Sequence, residues 1–234
     1  DWVDSGIKPC FRVRTRLGRE VEVTGHHPFL TVKGWIPLHD LREGHRIAVP
    51  RRLPIDGGDY SWSYEKVRLL AYFIAEGGLS GYSPHFTNTD PELVRDFRAC
   101  VEHAFPGHAV NPVGDGITYP VARARDRRSG SFVTETNLAT QWLRELGLMG
   151  KLSAEKTLPA CLYQWDRTRI AVFLRTLFSC DGTVYGMSGQ PRVEFTVASE
   201  PLARGVHHLL CRFGVIAKFW RKTERSWRVE ITEP

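Results

Sequence analysis

A nine-residue pattern that occurs twice constrains the fold of this chain more than any other sequence feature. Residues 69–77 (LLAYFIAEG) and residues 174–182 (LRTLFSCDG) are each typical of an apolar helix that ends in an acidic residue followed by glycine. Each copy carries two small residues four positions apart, which share one helix face and allow a partner helix to approach closely. A paired repeat of this kind predicts two like halves whose helices meet at a single interface.

The acidic residues of the two copies, Glu76 and Asp181, lie at the ends of the predicted helices. If the helices pack along their small faces, the two carboxylates lie side by side and repel each other unless they share a hard divalent cation, typically Mg²⁺. The helix dipole also disfavours an anion at the carboxyl end of a helix, so we expect a positive group beside Glu76. Gly77 follows at the position where a left-handed residue commonly ends a helix.

The two copies resemble the paired signature of LAGLIDADG homing endonucleases, which carry an acidic residue at the eighth position of each motif. The resemblance implies an α+β fold in which two pseudo-symmetric αββαββα halves form a β-saddle on DNA, with the second half incomplete at its C-terminus. It implies a site-specific double-strand DNA endonuclease that uses Glu76 and Asp181 as catalytic and metal-binding residues and Mg²⁺ (or Mn²⁺) as cofactor. The expected partner is double-stranded DNA with a long specific site. The expected state is a monomer with an internal pseudo-two-fold axis, and completion by a companion fragment stays open.

A lysine between the two copies is the third expected catalytic residue. Residues 156–159 (KTLP) resemble the Lys-x-Ile/Leu-Pro block of intein-borne members of the family, in which the lysine approaches the scissile phosphate. An ammonium at that place could stabilise negative charge on the phosphate or lower the pKa of the attacking water. The resemblance therefore implies a catalytic role for Lys156, and an ordinary exposed loop lysine is the alternative.

The strands that follow each copy supply the expected DNA-binding residues. Alternation predicts strands over residues 79–88, 117–126 and 192–197, with a hairpin tip at residues 126–130. A two-stranded ribbon fits the major groove, where arginine binds guanine edges and phosphates bidentately. The expected DNA-binding residues are Tyr82, His85, Arg123, Arg125, Arg192, Lys218, Lys222 and Arg228.

Helix signals surround these strands. The first motif helix is predicted over residues 64–76, and Asp90 followed by proline predicts the start of a helix that runs to about Phe105. Two further amphipathic helices are predicted over residues 137–146 and 202–213.

The charge balance favours a polyanionic partner. The formal net charge is +6 and the isoelectric point is about 9.2, with seven lysines and twenty-five arginines among the cations. Arginine dominance suits phosphate and guanine recognition. A generally basic proteome is the alternative explanation of the same balance.

The first 55 residues predict short strands and resemble part of a Hint-type intein splicing domain. Thr24 and His27 match the polar positions of its Thr-x-x-His block, in which the histidine polarises the scissile amide. A pair of turn histidines at 26–27 is the alternative. His45 stands where the family usually carries aspartate, and the terminal splicing blocks are lacking, so we expect that this polypeptide does not splice by itself.

These features divide the chain into four predicted parts. They are a partial Hint-like β segment (1–55), a linker (56–62), the first LAGLIDADG half (63–158) and the truncated second half (159–234). The chain begins at Asp1 with residues typical of the interior of a strand rather than with methionine, so we expect a fragment. The Hint-like part looks similar to inteins inserted in bacterial replicative helicases.

The five cysteines and the hydropathy predict an intracellular protein. The cysteines are odd in number and widely spread, which favours a reducing, cytoplasmic compartment over a disulfide or zinc scaffold. No apolar window is long enough to span a bilayer, and no signal peptide opens the chain, so no membrane partner is expected.

Two other functions remain open at this point. One is a DNA-binding module that keeps the fold but has lost cleavage, as in the regulators and maturases that share it. The other is a fragment of a protein-splicing element. The intact acids and the loop lysine favour the nuclease.

Overall fold

A computed structural model describes residue 4 and residues 6–123, 137–187 and 190–231. Within these residues the helices are α1 (Tyr64–Glu76), α2 (Pro91–Ala104), α3 (Leu138–Glu145), α4 (Arg167–Asp181) and α5 (Glu200–Arg212). The strands before α2 are β1 (Cys10–Arg14), β2 (Glu20–Thr24), β3 (Pro28–Thr31), β4 (Gly34–Pro37), β5 (Gly77–Gly78) and β6 (His85–Thr87). Those after α2 are β7 (His108–Val110), β8 (Thr118–Arg123), β9 (Gly182–Met187), β10 (Gln190–Val197), β11 (Ala217–Thr223) and β12 (Ser226–Ile231).

The two motif helices, α1 and α4, pack against each other at the centre of the molecule. Helix α1 is capped by the hydroxyl of Ser63, and its residues from Val67 to Ile74 are buried almost all round, as expected for a central helix. The carboxylate of Asp166 caps α4 in the same way. The predicted bounds of the first motif helix, 64–76, are confirmed.

The glycine after each motif helix serves close packing, and the predicted left-handed conformation of Gly77 is wrong. Gly77 and Gly182 are extended, with φ of −76° and −82°, so the chain passes from helix to strand without a left-handed residue. A Cβ at these two positions would lie 2.4 Å from the carbonyl oxygen of Phe73 and 2.3 Å from that of Phe178. Only glycine permits this approach of strand to helix.

Each motif helix leads into a four-stranded antiparallel sheet. The strand orders are β5-β6-β8-β7 in the first half and β11-β12-β10-β9 in the second. Apolar side chains on one face of each sheet, such as Phe86 and Phe195, are fully buried. Helices α4 and α5 pack against the second sheet, and α1 and α2 contact the first. The molecule is thus an α+β fold with two helix–hairpin halves.

The first-half strands are shorter than predicted. The segment 79–88 yields only β6, because residues 80–83 (SGYS) bend away from the ladder after the two glycines of β5. The predicted strand 117–126 is described up to Arg123, and the hairpin tip at 126–130 lies outside the described residues.

The remaining helix predictions hold, with one shifted boundary. The side chain of Asp90 caps α2, and Asn137 caps α3. Helix α5 begins two residues earlier than expected, at Glu200, because Ser199 caps it and Pro201 is tolerated in its first turn.

The N-terminal hairpins, β1–β2 and β3–β4, lie outside the hydrophobic core, whose buried residues begin at Val67. The tip of the first hairpin contacts β11, since the amide of Phe219 donates to the carbonyl of Leu17 at 3.0 Å. The predicted linker is bound to the second half: the amide of Asp59 donates to the carbonyl of Gln164 at 2.9 Å. The first hairpin and the linker are therefore both hydrogen-bonded to the second half.

No helix in the described ranges combines the length and the apolar character that crossing a bilayer requires.

Candidate active site and nucleic-acid interface

The carboxylates of Glu76 and Asp181 interact electrostatically at the adjoining ends of α1 and α4. Burial and, to a lesser extent, the negative charge of Glu76 raise the pKa of Asp181 to about 6, against the opposing effect of Lys156. Burial also raises the pKa of Glu76, while a hydrogen bond from Asn88 and the charge of Lys156 lower it. Two half-buried acids that repel each other form a site whose charged state needs a compensating cation.

Asn88 is a site residue that the sequence analysis missed. It follows β6 directly, and its side-chain nitrogen donates a short hydrogen bond to Glu76 Oε2. Its side-chain oxygen accepts from the amide of Asp90 at 2.7 Å, which sets the orientation of the amide. Asn88 therefore joins the start of α2 to the first acid. The only sequence signal for it was its place between a predicted strand and a helix cap.

Lys156 is the positive group that the helix dipole predicts beside Glu76. Its side chain is buried, and its ammonium lies 3.0 Å from the carbonyl oxygens of Phe73 and Ile74 and 2.8 Å from that of Gly77. The alternative of an ordinary exposed loop lysine is wrong. Burial lowers the pKa of Lys156 to about 8, although the charges of Asp181 and Glu76 favour the ammonium.

The backbone of Lys156 is anchored as well as its side chain. The hydroxyl of Ser199 donates to the Lys156 carbonyl at 2.6 Å and accepts from the amide of Leu202 at the start of α5. The lysine thus links the end of α1 to the start of α5. In the structure its ammonium faces helix carbonyls, which is a different environment from the phosphate contact that the resemblance implied.

The two acids make a sparse metal site by themselves. No group of three or more histidine, cysteine, aspartate or glutamate side chains suited to a metal ion occurs in the described part of the chain. The mutual repulsion of Glu76 and Asp181 nevertheless fits a hard divalent cation, since such ions prefer carboxylate oxygens and accept water or phosphate as further ligands.

The second sheet presents a polar face opposite to its helices. Cross-strand register places Tyr185, Arg192 and Glu194 on this face, together with Arg228 and Glu230. On the edge strand β11, Lys218 pairs with Glu230 and Trp220 with Arg228, and Lys222 lies two residues further on the same side. Four of the predicted DNA-binding residues are therefore gathered on one surface: Arg192, Lys218, Lys222 and Arg228. We call it the second-half face.

The chain also matches a known domain family over its second half. Residues 169–233 match the LAGLIDADG-like domain. The fold is LAGLIDADG-like. The match begins inside α4 and covers the sheet that carries the second-half face, so it includes Asp181.

Curated relatives match nearly all of the chain. The replicative DNA helicase DnaB of Rhodothermus marinus is 32% identical over 92% of this chain and 23% of its own length. The DnaB of Synechocystis is 31% identical over 97% of this chain and 27% of its own. Protein RecA of Mycobacterium tuberculosis is 33% identical over 92% and 27%. The chain therefore spans about a quarter of the length of these relatives.

Two solved structures resemble the chain more distantly. I-DmoI in complex with DNA and Mn has 13% identity and a TM-score of 0.48, and covers 72% of this chain and 89% of its own. The N-terminal LAGLIDADG domain of DUF199/WhiA has 13% identity and a TM-score of 0.46, over 76% and 79%.

The predicted DNA-binding residues before residue 158 are dispersed. Tyr82 is fully exposed in the bent segment, and the ring of His85 packs so closely on Gly78 that a Cβ on Gly78 would lie 2.0 Å from the ring.

Arg123 pairs with His108, on the face that carries buried Val121, whereas His85 pairs with Pro120 on the opposite face. Because side chains alternate with a period of two, Arg123 and His85 lie on opposite faces of the first sheet, and their DNA-binding role stays a prediction. Arg125 lies outside the described residues.

The predicted splicing-block residues lie in a turn between the two N-terminal hairpins. The amide of His27 donates to the carbonyl of Thr24 at 3.1 Å, and the ring of His27 contacts that of Phe29. His26 contacts His39 edge to face. The arrangement agrees with the alternative of a pair of turn histidines.

Proposed function

We propose that this chain is a metal-dependent, site-specific double-strand DNA endonuclease. The observation that carries the proposal is the pairing of Glu76 and Asp181 at the ends of two packed motif helices, where the negative charge of Glu76 helps to raise the pKa of Asp181. When bound there, a divalent cation supplies Lewis acidity to a phosphodiester and makes water a stronger nucleophile.

The chain's own residues prepare this site. Glu76 is held by Asn88, so its carboxylate faces the helix junction in a defined orientation. The ammonium of Lys156 binds the final carbonyls of α1, which holds the end of the helix in place beside Glu76. Precise spacing of the acids matters, because a cleavage site must hold reacting groups within about half an ångström of the productive geometry.

The second-half face is the proposed DNA-binding surface. It gathers Arg192, Lys218, Lys222 and Arg228 on the side of the sheet that no described helix covers. A sheet face of this kind suits the major groove, and its cations suit phosphates and guanine edges. The net charge of +6 supports the same partner.

The relatives suggest where such an element resides. One segment, about a quarter of each relative's length, recurs in proteins named replicative helicase, RecA and replication factor C small subunit. Three different names for one shared segment favour an inserted element over a part of the helicase itself. We therefore propose an intein-borne homing endonuclease, with Thr24 and His27 in a partial Hint-like segment.

The rival function is a DNA-binding module without cleavage. It is favoured by the engagement of Lys156 with helix carbonyls, and by the absence of a third side-chain metal ligand in the described residues. A plasmid that carries uninterrupted dnaB, recA or replication factor C gene segments separates the two. With Mg²⁺, linear plasmid from one of these segments supports the nuclease, whereas a gel shift without any cleavage supports the rival.

A further inference from the structure

Two acidic side chains occupy the centre of the second-half face. Glu194 and Glu230 are directly opposed on β10 and β12 and are only 8% and 6% exposed. Like charges in directly opposed positions destabilise a sheet, and carboxylates on a DNA-binding surface repel phosphates. The pair therefore needs cations beside it, and on a DNA-binding surface it weakens the attraction for phosphates.

The surrounding side chains hold Glu194 firmly. Its Oε1 accepts from the Thr196 hydroxyl at 2.7 Å and from Lys222 at 2.9 Å, and it lies 2.8 Å from an Arg228 nitrogen. Burial by itself would raise the pKa of Glu194, but these bonds and the nearby cations hold it below its usual value. The carboxylate is therefore a fixed anion in the folded chain.

Glu230 completes the same network. Its Oε1 accepts from Arg192 at 2.6 Å, and the hydroxyl of Tyr185 lies 3.3 Å from its Oε2 and 3.2 Å from Oε2 of Glu194. One hydroxyl thus bridges both carboxylates. The pair fixes two guanidinium groups: Glu230 holds Arg192, and Glu194 holds Arg228, which also lies 3.8 Å from Glu230.

The two arginines are fixed but not hidden. Their side chains are 26% (Arg192) and 18% (Arg228) exposed, and the guanidinium of Arg228 also lies 5.5 Å from the ring centre of Trp220. A guanidinium has five N–H donors in a rigid fork, and the Nε of each arginine is buried without a hydrogen-bond partner. The donors left for a base edge are therefore the N–H groups of the terminal nitrogens that the carboxylates do not occupy. Guanine is read by such a fork on its O6 and N7 atoms, whereas an unrestrained arginine can bind any phosphate.

We infer that Glu194 and Glu230 are positioning residues for sequence readout, which hold Arg192 and Arg228 so that this face selects G·C base pairs. The acids lower the general affinity of this face for phosphate and raise its preference for guanine. This inference rests on the proposed function, because it needs duplex DNA as the ligand.

Selection from a library of randomised duplex DNA tests the inference without knowledge of the natural site. We expect the wild-type chain to enrich a motif that contains a short G·C block. The Glu194→Gln and Glu230→Gln variants should lose the guanine preference within that block by about 5- to 150-fold, the discrimination of one bidentate pair. Their binding to a random-sequence duplex should tighten, with a log–log salt slope steeper by about 0.9 for each cation released to a phosphate.

Two further variants keep the test decisive. Glu102→Gln makes the same charge change on the exposed side of α2 and should leave the selected motif unchanged. Tyr185→Phe removes the bridging hydroxyl without a charge change, and should weaken the guanine preference without a steeper salt slope. If the glutamine variants do not fold, the guanine preference of Tyr185→Phe tests the inference by itself.

The outcomes separate the inference from the proposed function. If the wild-type chain enriches a motif and the Glu194, Glu230 and Tyr185 variants all enrich the same guanines, the inference is overturned and the proposed function stands. If the wild-type chain binds no duplex at all, both are overturned.

Discussion

The ammonium of Lys156 lies 2.8 Å from the carbonyl oxygen of Gly77, although 79 residues separate them in the chain. This contact caps the carboxyl end of α1, directly beside Glu76. Helix carbonyls in the last turn lack partners within the helix, and an ammonium supplies both the missing donors and a favourable charge at the negative end of the dipole.

Lys156→Met should destabilise the fold, because it keeps the length of the side chain but leaves buried carbonyls without a donor. The expected loss in the free energy of unfolding is about 1–3 kcal/mol, measured by urea denaturation. Lys33→Met, on an exposed turn, is the matched control and should be near neutral. Equal stability of the two variants would show that the Lys156 contacts do not hold α1.

Cleavage should depend on both motif acids. Glu76→Gln and Asp181→Asn should abolish plasmid linearisation while DNA affinity stays within about tenfold, since neither change touches the second-half face. Gel shifts and cleavage on the same DNA measure the two properties separately. Linearisation at the wild-type rate by both variants would remove these residues from the catalytic assignment.

The raised pKa of Asp181 should make stability pH-dependent. The folded chain holds the Asp181 proton up to about pH 6, whereas an unfolded aspartate loses it near pH 3.8. The stabilising effect is therefore complete below about pH 4 and lost as the pH rises through 6. Urea midpoints should fall across this window in the wild-type chain and less in Asp181→Asn. An identical pH profile for both proteins would contradict the raised pKa of Asp181.

Overpacking should test how closely the central helix α1 is packed. Ala71 is fully buried on α1, so Ala71→Leu should cost about 1–3 kcal/mol in the free energy of unfolding. Ala171 lies exposed on α4, and Ala171→Leu should be near neutral because the two residues differ little in helix propensity. Thermal melting of both variants makes the comparison. A neutral Ala71→Leu would mean that α1 has room that the packing does not show.

Local signals explain why much of the fold was predictable. The motif helix, its acid and the helix that begins after Asp90 depend on capping and periodicity within a few residues of chain. The strict alternation in β10 likewise placed Arg192 on a polar face. The sequence-based predictions were wrong where packing against a neighbouring group decides the residue. Residue 77 is glycine because the Phe73 carbonyl leaves no space for a Cβ, not because a left-handed turn requires glycine.

The sequence by itself determined that two acid-ended helices pair and that polar strand faces follow them, because repeats and periodicity are properties of neighbouring residues. Only the tertiary structure decided which groups surround those acids. Asn88 and Lys156 reach Glu76 and the end of α1 through folding of the intervening chain, and no spacing rule connects them. The tertiary structure also decided that Glu194 and Glu230 hold the arginines of the second-half face, since ion pairing across strands depends on register.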